Sequence, residues 1–541
     1  MSRIQSGAAL SVLALLLTIN LGLQWIAGAY RTELGGYPDE SAHFVTAVMV
    51  HDYLAENLRT SPLHFAETYY VHYPKVAIGH WPPFFYLLQA AWMFVFGVSP
   101  SSALLLVAAI PSALSFLLVR LLAPRFGSVV ALLSAVILST LPTVQEQTAM
   151  VMSDGLVALF SLAAMIEMAR FIEEPEARHA GRFALFASLA VLTKGNGLAL
   201  LPFALLGVMM SRRAVLFLDC RYRISLEVVA LVALVWYSVT LRMALPGLVS
   251  PGWHYSSAAL RILGSDLVAT GGVVVIPIVA VGVVSRFVLP FFRATVQPLW
   301  SCAAALPLSV LLFHVGTPAA IDPRFLIPAL APLLMFFAAG LHSLIRALGG
   351  GTVRTAGVAA LAGVLFFATA FEIRRKEPLG LGEVAGFLSE RMPPRSVVLV
   401  SSQRDAEGAF IAEMVWRETR RPEAFVLRAT KMLTRTDWLG LTEMALYAGH
   451  EELMADLESV PVHYLVLDHA PGSRELDHHR LLAETVARFP ARWERIAIVP
   501  AREGKGVAIE VFQLSGSRPV DLPKFRIDMV DKLDRELEPR E

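Results

Sequence analysis

The chain has 541 residues, of which 55% are apolar and only 17% are charged, against roughly a quarter in ordinary soluble domains. This composition indicates an integral membrane protein and excludes a chain that is soluble along its whole length. The formal net charge is +1 and no basic stripe is interleaved with aromatic residues, so we expect no nucleic-acid partner. The two cysteines, Cys220 and Cys302, have no metal-type spacing, and we predict neither a disulfide nor a zinc ribbon.

Hydrophobic runs recur from the N-terminus to about residue 371, and they predict about eleven transmembrane helices. The predicted spans lie near residues 8–28, 101–121, 127–142, 156–172, 182–193, 196–211, 224–245, 265–287, 297–314, 325–346 and 355–371. The first run also resembles a signal peptide, but its length of about 20 residues favours an uncleaved span. A shorter aromatic run at 82–97 begins with Pro-Pro and either lies in the membrane interface or adds a span.

Arginine residues cluster at alternate connections between the predicted spans, and this bias marks the cytoplasmic side of an inner membrane. The stretch "TKGNG" at 193–197 must then be a tight turn, since otherwise the parity of every later span reverses. The first loop, residues 29–100, then lies outside. One observation disagrees with this orientation: the basic residues Arg374, Arg375 and Lys376 follow the last span on the predicted outer side.

The pattern changes near residue 376 to short β-type runs, such as "SVVLVSS" and "HYLVLD", that alternate with helical stretches. This alternation predicts a soluble α/β domain over 376–541 after a transmembrane domain over 1–375. The predicted fold class is therefore a polytopic α-helical membrane protein with a C-terminal soluble α/β domain. The parity of the spans makes that domain extracytoplasmic.

Unusual polar residues collect in the predicted outer loops. They are Asp39 and Glu40 after the first span, Asp154 at the start of a later span, Lys194 in "TKGNG" and Arg324 in "DPRF". Such groups are costly at the membrane edge unless they are solvated or functional, so together they predict a site. Each residue has a structural alternative: Lys194 and Arg324 could anchor to lipid headgroups, Asp154 could cap a helix, and Glu40 could position its neighbour.

Five motifs occur in a fixed order: "YPDESAHF", "GHWPPFFYLLQA", "AMVMSDGLVALF", "LTKGNG" and "DPRFLIPALAPLL". In this order they resemble the GT-C superfamily of membrane glycosyltransferases, over roughly residues 1–345. The nearest likeness is to the branch with protein O-mannosyltransferases and lipid A aminoarabinose transferases, which is glycosyltransferase family 39-like. The resemblance implies a GT-C-like fold and transfer of a sugar from a polyprenyl-phosphate donor to a glycolipid, polysaccharide or protein acceptor. It also implies that the reaction takes place at the outer face of the cytoplasmic membrane, among membrane lipids.

The resemblance implies roles for the polar residues. Asp39 matches the catalytic acid of the family, and Glu40 and Asp154 are further catalytic candidates, because the acceptor hydroxyl needs a base. Arg324 and Lys194 are candidate substrate-binding residues, because the leaving phosphate needs positive charge.

The histidines near the Pro-Pro motif depart from the family pattern. Relatives often carry His or Lys directly before Pro-Pro, whereas this chain has Trp81 there and His80 one residue earlier. We expect His80 to contact substrate. Some relatives bind a divalent metal near this point, so His80 and His254 are candidate metal ligands.

A membrane transporter or flippase, with polar residues that line a pathway, is the alternative function. Transporters often show repeats and matched broken helices with a site near the midplane. This sequence shows neither, and its acidic residues lie at loop edges on one predicted face. The pattern favours the enzyme.

Overall fold

The computed structural model describes residues 3–245, 248, 250, 252–436, 443–500, 508–520 and 522–540. The described residues up to 369 form helices and their connections, and the strands of the described residues lie beyond residue 396. The helices up to residue 369 are α1 Arg3–Ile26, α2 Pro38–Glu56, α3 Pro62–His72, α4 Phe84–Phe96, α5 Pro100–Phe126, α6 Ser128–Thr140, α7 Pro142–Thr148, α8 Asp154–Glu173, α9 Ala177–Thr193, α10 Leu200–Met210, α11 Cys220–Ala244, α12 Trp253–Val283, α13 Leu289–Phe292, α14 Pro298–Gly316, α15 Ile327–Ala347 and α16 Thr352–Thr369.

Eight helices of the described residues are long and apolar enough to cross a membrane. They are Gly7–Ile26, Pro100–Phe126, Asp154–Glu173, Cys220–Ala244, Trp253–Phe292, Pro298–Gly316, Pro323–Ala347 and Thr352–Thr369. A ninth span arises if α6 and α7, which meet at 62°, cross together. The other two predicted runs fall on α9 and on the stretch Gly195–Met210, which are shorter than 18 residues.

The short apolar helices follow from local sequence. The 13 residues of α4 rise only about 20 Å, less than the roughly 30 Å of a hydrocarbon core, so α4 is too short to cross alone. The "TKGNG" stretch is a tight turn, as predicted, with a short 3₁₀ segment from Gly195 to Ala199. A Cβ at Gly197 would lie 2.3 Å from the backbone carbon of Ala190, so the turn folds back closely onto α9.

The C-terminal part of the chain from Leu381 onward is here named the sheet region. Its strands are β1 Val397–Ser401, β2 Phe425–Arg428, β3 Thr434–Thr436, β4 Glu443–Ala445, β5 Tyr464–Asp468, β6 Trp493–Pro500, β7 Ala508–Leu514, β8 Ile527–Asp528 and β9 Glu536–Leu537. Five of them form one sheet in the order β2-β1-β5-β7-β6. Strands β2, β1 and β5 are parallel, and β7 is antiparallel to β5 and β6. The accompanying helices are α17 Leu381–Ser389, α18 Arg404–Arg417, α19 Ala429–Met432, α20 His450–Ser459, α21 Pro471–Arg474, α22 Asp477–Arg488 and α23 Val530–Leu533.

This region packs directly on the first loop. One continuous apolar core joins Phe44 of α2 and Tyr69 of α3 to Phe410 of α18 and Val398 of β1. Two hydrogen bonds, of 2.9 and 3.0 Å, also join the guanidinium of Arg421 to Asp52. The sheet region and α2 are therefore held in one packed body.

Gly408 lies where α18 closely approaches Ser41 of α2. A Cβ at Gly408 would lie 2.6 Å from Ser41 Oγ and 2.6 Å from Lys75 Cε. The glycine therefore lets α18 reach the helix that begins at Pro38 and carries Asp39.

Candidate active site

A cavity of about 830 Å³ lies between the membrane helices, the first loop and the sheet region. The first loop contributes Tyr37, Asp39, Lys75, His80 and Trp81, and the helical part contributes Lys194, Tyr237, Leu241, Leu245, Phe313, His314, Arg324 and Phe325. The sheet region contributes Gln403, Arg404, Arg428, Thr430, Lys431, Glu443, Gly472 and Glu475. A smaller cavity of about 570 Å³, between α3 and the sheet region, contains none of the predicted site residues.

Asp39 and Arg324 meet in the large cavity although 285 positions separate them. A guanidinium nitrogen of Arg324 donates to Asp39 Oδ2 at 2.9 Å. The guanidinium lies 4.3 Å from the ring centre of Tyr37, and its Nε is 3.4 Å from Asp322 Oδ2. Its Nη1 is buried with no hydrogen-bond partner among the described residues. Because the Arg324 side chain is 6% exposed and points at Asp39, its position does not fit headgroup anchoring.

Asp39 is ionised at neutral pH. Burial raises the pKa of its carboxyl, but the positive charges of Arg324 and Lys194 lower that pKa below its usual value. His43 is buried one helical turn further along α2, and its Nδ1 lies 2.9 Å from the Tyr86 hydroxyl. Burial lowers the pKa of His43 to about 3, so this imidazole is neutral beside the carboxylate. Asp39 is thus a carboxylate that can accept a proton at the cavity wall.

Lys194 forms the second cationic point of the same wall. Its Nζ is 2.8 Å from both carboxylate oxygens of Asp154, the first residue of α8. The ammonium lies 5.5 Å from the ring centre of Phe325, next to Arg324. Lys194 lines the cavity and Asp154 does not. Asp154 therefore contacts Lys194 and not the cavity, and its catalytic role stays a prediction.

Glu40 has a structural position that does not fit the predicted catalytic role. It is fully buried, outside the cavity lining, and its Oε1 is 2.7 Å from Lys376 Nζ. Its Oε2 accepts a hydrogen bond from the Gly36 amide at 2.8 Å. Arg374 likewise pairs with Glu146 at 2.7 Å. Arg374 and Lys376, which disagreed with the predicted orientation, are therefore partners in ion pairs with Glu146 and Glu40.

The two candidate histidine ligands lie in different surroundings. His80 lines the cavity, with its Nδ1 3.3 Å from Lys532 Nζ. Burial lowers the pKa of His80 to about 4, and the positive charge of Lys532 is the second cause. His254 is exposed in the first turn of α12 and does not line the cavity. Within the described ranges, no three His, Cys, Asp or Glu side chains converge in a way that could hold a metal ion. His80 and His254 therefore do not fit a divalent metal site.

Four cationic residues of the cavity were missed by sequence reasoning: Lys75, Arg404, Arg428 and Lys431. Lys75 is the one lysine between residues 29 and 100, a signal that could have found it. Burial lowers the pKa of Lys75 to about 7, and the positive charge of Arg428 is the second cause. The other three belong to the sheet region, whose sequence carries no motif that marks them.

Comparisons with known proteins agree with this architecture. The sequence profile of the family described as dolichyl-phosphate-mannose-protein mannosyltransferase matches residues 80–240. No curated protein sequence matches the chain. The structure of ArnT from Cupriavidus metallidurans bound to undecaprenyl phosphate is similar, with a TM-score of 0.59 and 13% identity over 93% of this chain and 98% of that chain. Archaeal oligosaccharyltransferase AglB from Archaeoglobus fulgidus, in complex with an inhibitory peptide and a dolichol-phosphate, has a TM-score of 0.53 and 12% identity over 93% of this chain and 75% of that chain.

Proposed function

We propose that this multi-pass membrane protein, which has the GT-C fold of ArnT and AglB, transfers a sugar from a polyprenyl-phosphate donor to an acceptor hydroxyl. The observation that carries the proposal is the pair formed by ionised Asp39 and buried Arg324 in one cavity. The solved structure of ArnT binds undecaprenyl phosphate and that of AglB binds a dolichol-phosphate. We place the reaction at the outer face of the cytoplasmic membrane.

The proposed reaction is a displacement at the anomeric carbon of the donor sugar. Asp39 takes the proton of the acceptor hydroxyl while the hydroxyl oxygen forms its bond to that carbon. The bond from the carbon to the phosphate oxygen breaks, and the polyprenyl phosphate leaves with the electron pair. Arg324 and Lys194 stabilise the charge that develops on the leaving phosphate. The buried Arg324 Nη1 offers a donor for this purpose.

The apolar part of the cavity suits the carrier chain. Leu241 near the end of α11, Leu245 just after α11 and Phe313 near the end of α14 line the same cavity as Arg324. An isoprenoid tail could therefore pass along this wall with its phosphate at Arg324. Burial of its methylene and methyl groups would favour binding by about 0.8 kcal/mol for each CH₂.

Substitution of Arg324 tests the proposal without knowledge of the sugar. Arginine gives a planar fork of donors that suits phosphate, and lysine gives a single point charge. We expect Arg324→Lys to bind undecaprenyl phosphate more weakly than the wild type, and Arg324→Ala to lose nearly all binding and sugar transfer. Binding to the purified protein in detergent measures the first effect. Mass spectrometry of lipids, polysaccharides and proteins from cells with and without the gene identifies the transferred sugar and its acceptor.

Arg261→Ala is the matched control, because Arg261 is exposed on α12 and outside the cavity lining. Normal binding and transfer by Arg324→Ala would refute the proposed role. Movement of a lipid-linked sugar across the vesicle membrane without sugar transfer would favour the flippase.

Chelation with EDTA in the transfer assay tests the divalent metal that the resemblance implies. Full activity in EDTA would remove a metal from the mechanism.

A further inference from the structure

The carboxyl ends of the parallel strands open onto the proposed catalytic cavity. Gln403 and Arg404 follow β1, Arg428 ends β2, and Lys431 lies in the short helix after β2. All four line the cavity. In open α/β sheets, ligands bind at the carboxyl ends of parallel strands, where the strand order reverses. The order β2-β1-β5 places that reversal between β1 and β5, beside Gln403.

A buried carboxylate holds Arg428 in place. Arg428 Nε donates to Glu407 Oε2 at 3.0 Å, and Glu407 is fully buried in α18. The Thr430 amide donates to Glu407 Oε1 at 3.1 Å, and the Thr430 hydroxyl donates to Oε2. Arg428 is therefore a positioned cation, unlike a mobile side chain on a solvated edge.

Three cationic and two acidic side chains of the sheet region line this side of the cavity. The cations are Arg404, Arg428 and Lys431, and the acids are Glu443 and Glu475. Glu443 Oε1 lies 2.5 Å from His478 Nδ1, and Arg404 Nε lies 3.7 Å from Asp405 Oδ1, outside the lining. Lys75, on the first loop, adds a fourth basic group, which interacts electrostatically with Arg428, Asp405, Asp39 and Arg404. These groups lie on elements other than those of Arg324 and Lys194, the cations proposed to hold the donor phosphate.

We infer that this surface, formed by Gln403, Arg404, Arg428 and Lys431 and here named the sheet-edge wall, binds an anionic group of the acceptor, a phosphate or a carboxylate. The inference rests on the proposed function and assigns the acceptor to the anionic class. The wall lies on the same cavity as Asp39, so an acceptor held there by its anion presents a nearby hydroxyl to that carboxylate.

The test uses the purified full chain, saturated first with undecaprenyl phosphate to fill the donor phosphate position. Three small probes are then titrated: N-acetylglucosamine 1-phosphate, glucuronate and N-acetylglucosamine. We expect the first or the second probe to bind, and the one that binds shows whether the wall prefers a phosphate or a carboxylate. We expect the neutral sugar to bind at least about tenfold more weakly, because charge-assisted hydrogen bonds are roughly twice as strong as neutral ones. The double variant Arg404→Gln/Lys431→Gln should bind the anionic probe about tenfold more weakly than the wild type.

Arg474→Gln is the matched control, because Arg474 is exposed in α21 beside the same sheet edge but does not line the cavity. It should bind the anionic probe as the wild type does. The double variant should keep its affinity for undecaprenyl phosphate, which shows that it is folded and that the wall is not the donor site. Equal binding of the anionic probe by wild type and double variant, or equal binding of charged and neutral probes, would overturn the inference. A wild type that does not bind undecaprenyl phosphate would instead refute the proposed function.

Discussion

Asp39 and Glu40 are adjacent carboxylates with opposite surroundings. One step along α2 rotates the side chain by about 100°, so Asp39 faces the cavity while Glu40 points into the packed interior. Asp39 remains 24% exposed beside Arg324, whereas the Glu40 side chain has no exposed surface. The proposed chemistry is thus assigned to Asp39, and the contact between two distant parts of the chain is made by its neighbour Glu40.

We predict that Asp39→Asn and Glu40→Gln fail in different ways. Asp39→Asn removes the base and should lower sugar transfer by about a hundred- to ten-thousand-fold while thermal unfolding in detergent stays unchanged. Glu40→Gln leaves Lys376 buried without its partner and should lower the free energy of unfolding by about 3 kcal/mol. Full activity of well-folded Asp39→Asn would remove Asp39 from catalysis. Unchanged stability of Glu40→Gln would mean that the Lys376 pair contributes little.

Lys75 makes binding of the anionic probe beside the sheet-edge wall depend on pH. Its pKa of about 7 lies far below the usual lysine value, so the free protein loses this positive charge as pH rises through 7. We expect the affinity for the anionic probe to fall between pH 7 and 8.5, by at most about tenfold for each pH unit. Lys75→Arg should abolish this fall, because guanidinium stays charged throughout. A wild-type profile that is equally flat would show that the charge on Lys75 does not assist binding.

The sequence predicts individual residues best where a motif places them at the edge of a span. Asp39, Lys194 and Arg324 were all expected near one site, and all three line the cavity. Arg428 was missed, because its position depends on strand order and on its bond to Glu407, neither of which leaves a local pattern.

At the scale of elements, close contact between α12 and α15 holds the helix that begins just after Arg324. A Cβ at Gly282 would lie 1.8 Å from the Phe336 carbonyl oxygen, and a Cβ at Gly340 would lie 2.0 Å from the Ile278 carbonyl oxygen. Small residues allow such approach between membrane helices, where packing is a main source of association.

We predict that Gly282→Ala destabilises the protein by about 1–3 kcal/mol or more, because the added methyl overlaps backbone atoms of α15. Gly264→Ala is the matched control in the same helix, since no atom lies within 4 Å of a Cβ at Gly264. Thermal unfolding in detergent compares the two variants. If both unfold at the same temperature, α12 and α15 separate at little cost and the close contact is not important for stability.

Helix boundaries follow sequence more closely than the number of spans does. The run predicted at 127–142 contains α6, but the chain bends by 62° where Pro142 begins α7. Proline lacks the amide that would continue the hydrogen bonds of α6 and is well suited to start α7. Hydropathy alone does not register this bend, because the predicted apolar run ends at Pro142 and α7 itself has the mostly polar sequence PTVQEQT.

At the scale of the whole molecule, α11 is a membrane-spanning helix that contacts the sheet region at one of its two ends. Its 25 residues rise about 37 Å, enough to cross a bilayer. At its C-terminal end, Arg242 is 2.7 Å from Asp534, and the Met243 carbonyl accepts from Lys532 at 2.8 Å. Cys220 is exposed at its other end. Cys220 and the sheet region should therefore lie on opposite sides, whatever the total number of spans.

We predict that an impermeant thiol reagent distinguishes the two ends in intact spheroplasts. Ser459→Cys, exposed at the end of α20, should be labelled from outside in a Cys220→Ser background. Native Cys220 should be labelled only after lysis, and buried Cys302 at neither stage. The reverse pattern would place the sheet region in the cytoplasm and contradict the parity of the predicted spans.

The resemblance read from five ordered motifs is confirmed at the level of the fold by the likeness to ArnT and AglB. The hydrophobic runs and the change of pattern near residue 376 predicted a helical membrane part and a C-terminal α/β region, and the structure has helices followed by a region with sheets. The sequence did not predict that the sheet region would supply a wall of the cavity. Contacts between distant parts of a chain depend on shape and burial, which hydrophobic periodicity does not encode.

The shared core of the first loop and the sheet region imposes an order on biosynthesis. Residues 29–100 emerge from the ribosome long before α17 begins at Leu381, so this loop must wait for roughly 280 further residues before the sheet region exists as its packing partner. At about 5–20 residues per second this delay is roughly 15–60 s. During that interval Phe44 and its neighbours lack the part of their apolar cover that the sheet region supplies, and Glu40 lacks Lys376. The nascent chain therefore exposes apolar surface of its first loop, and the candidate active site is complete only near the end of translation.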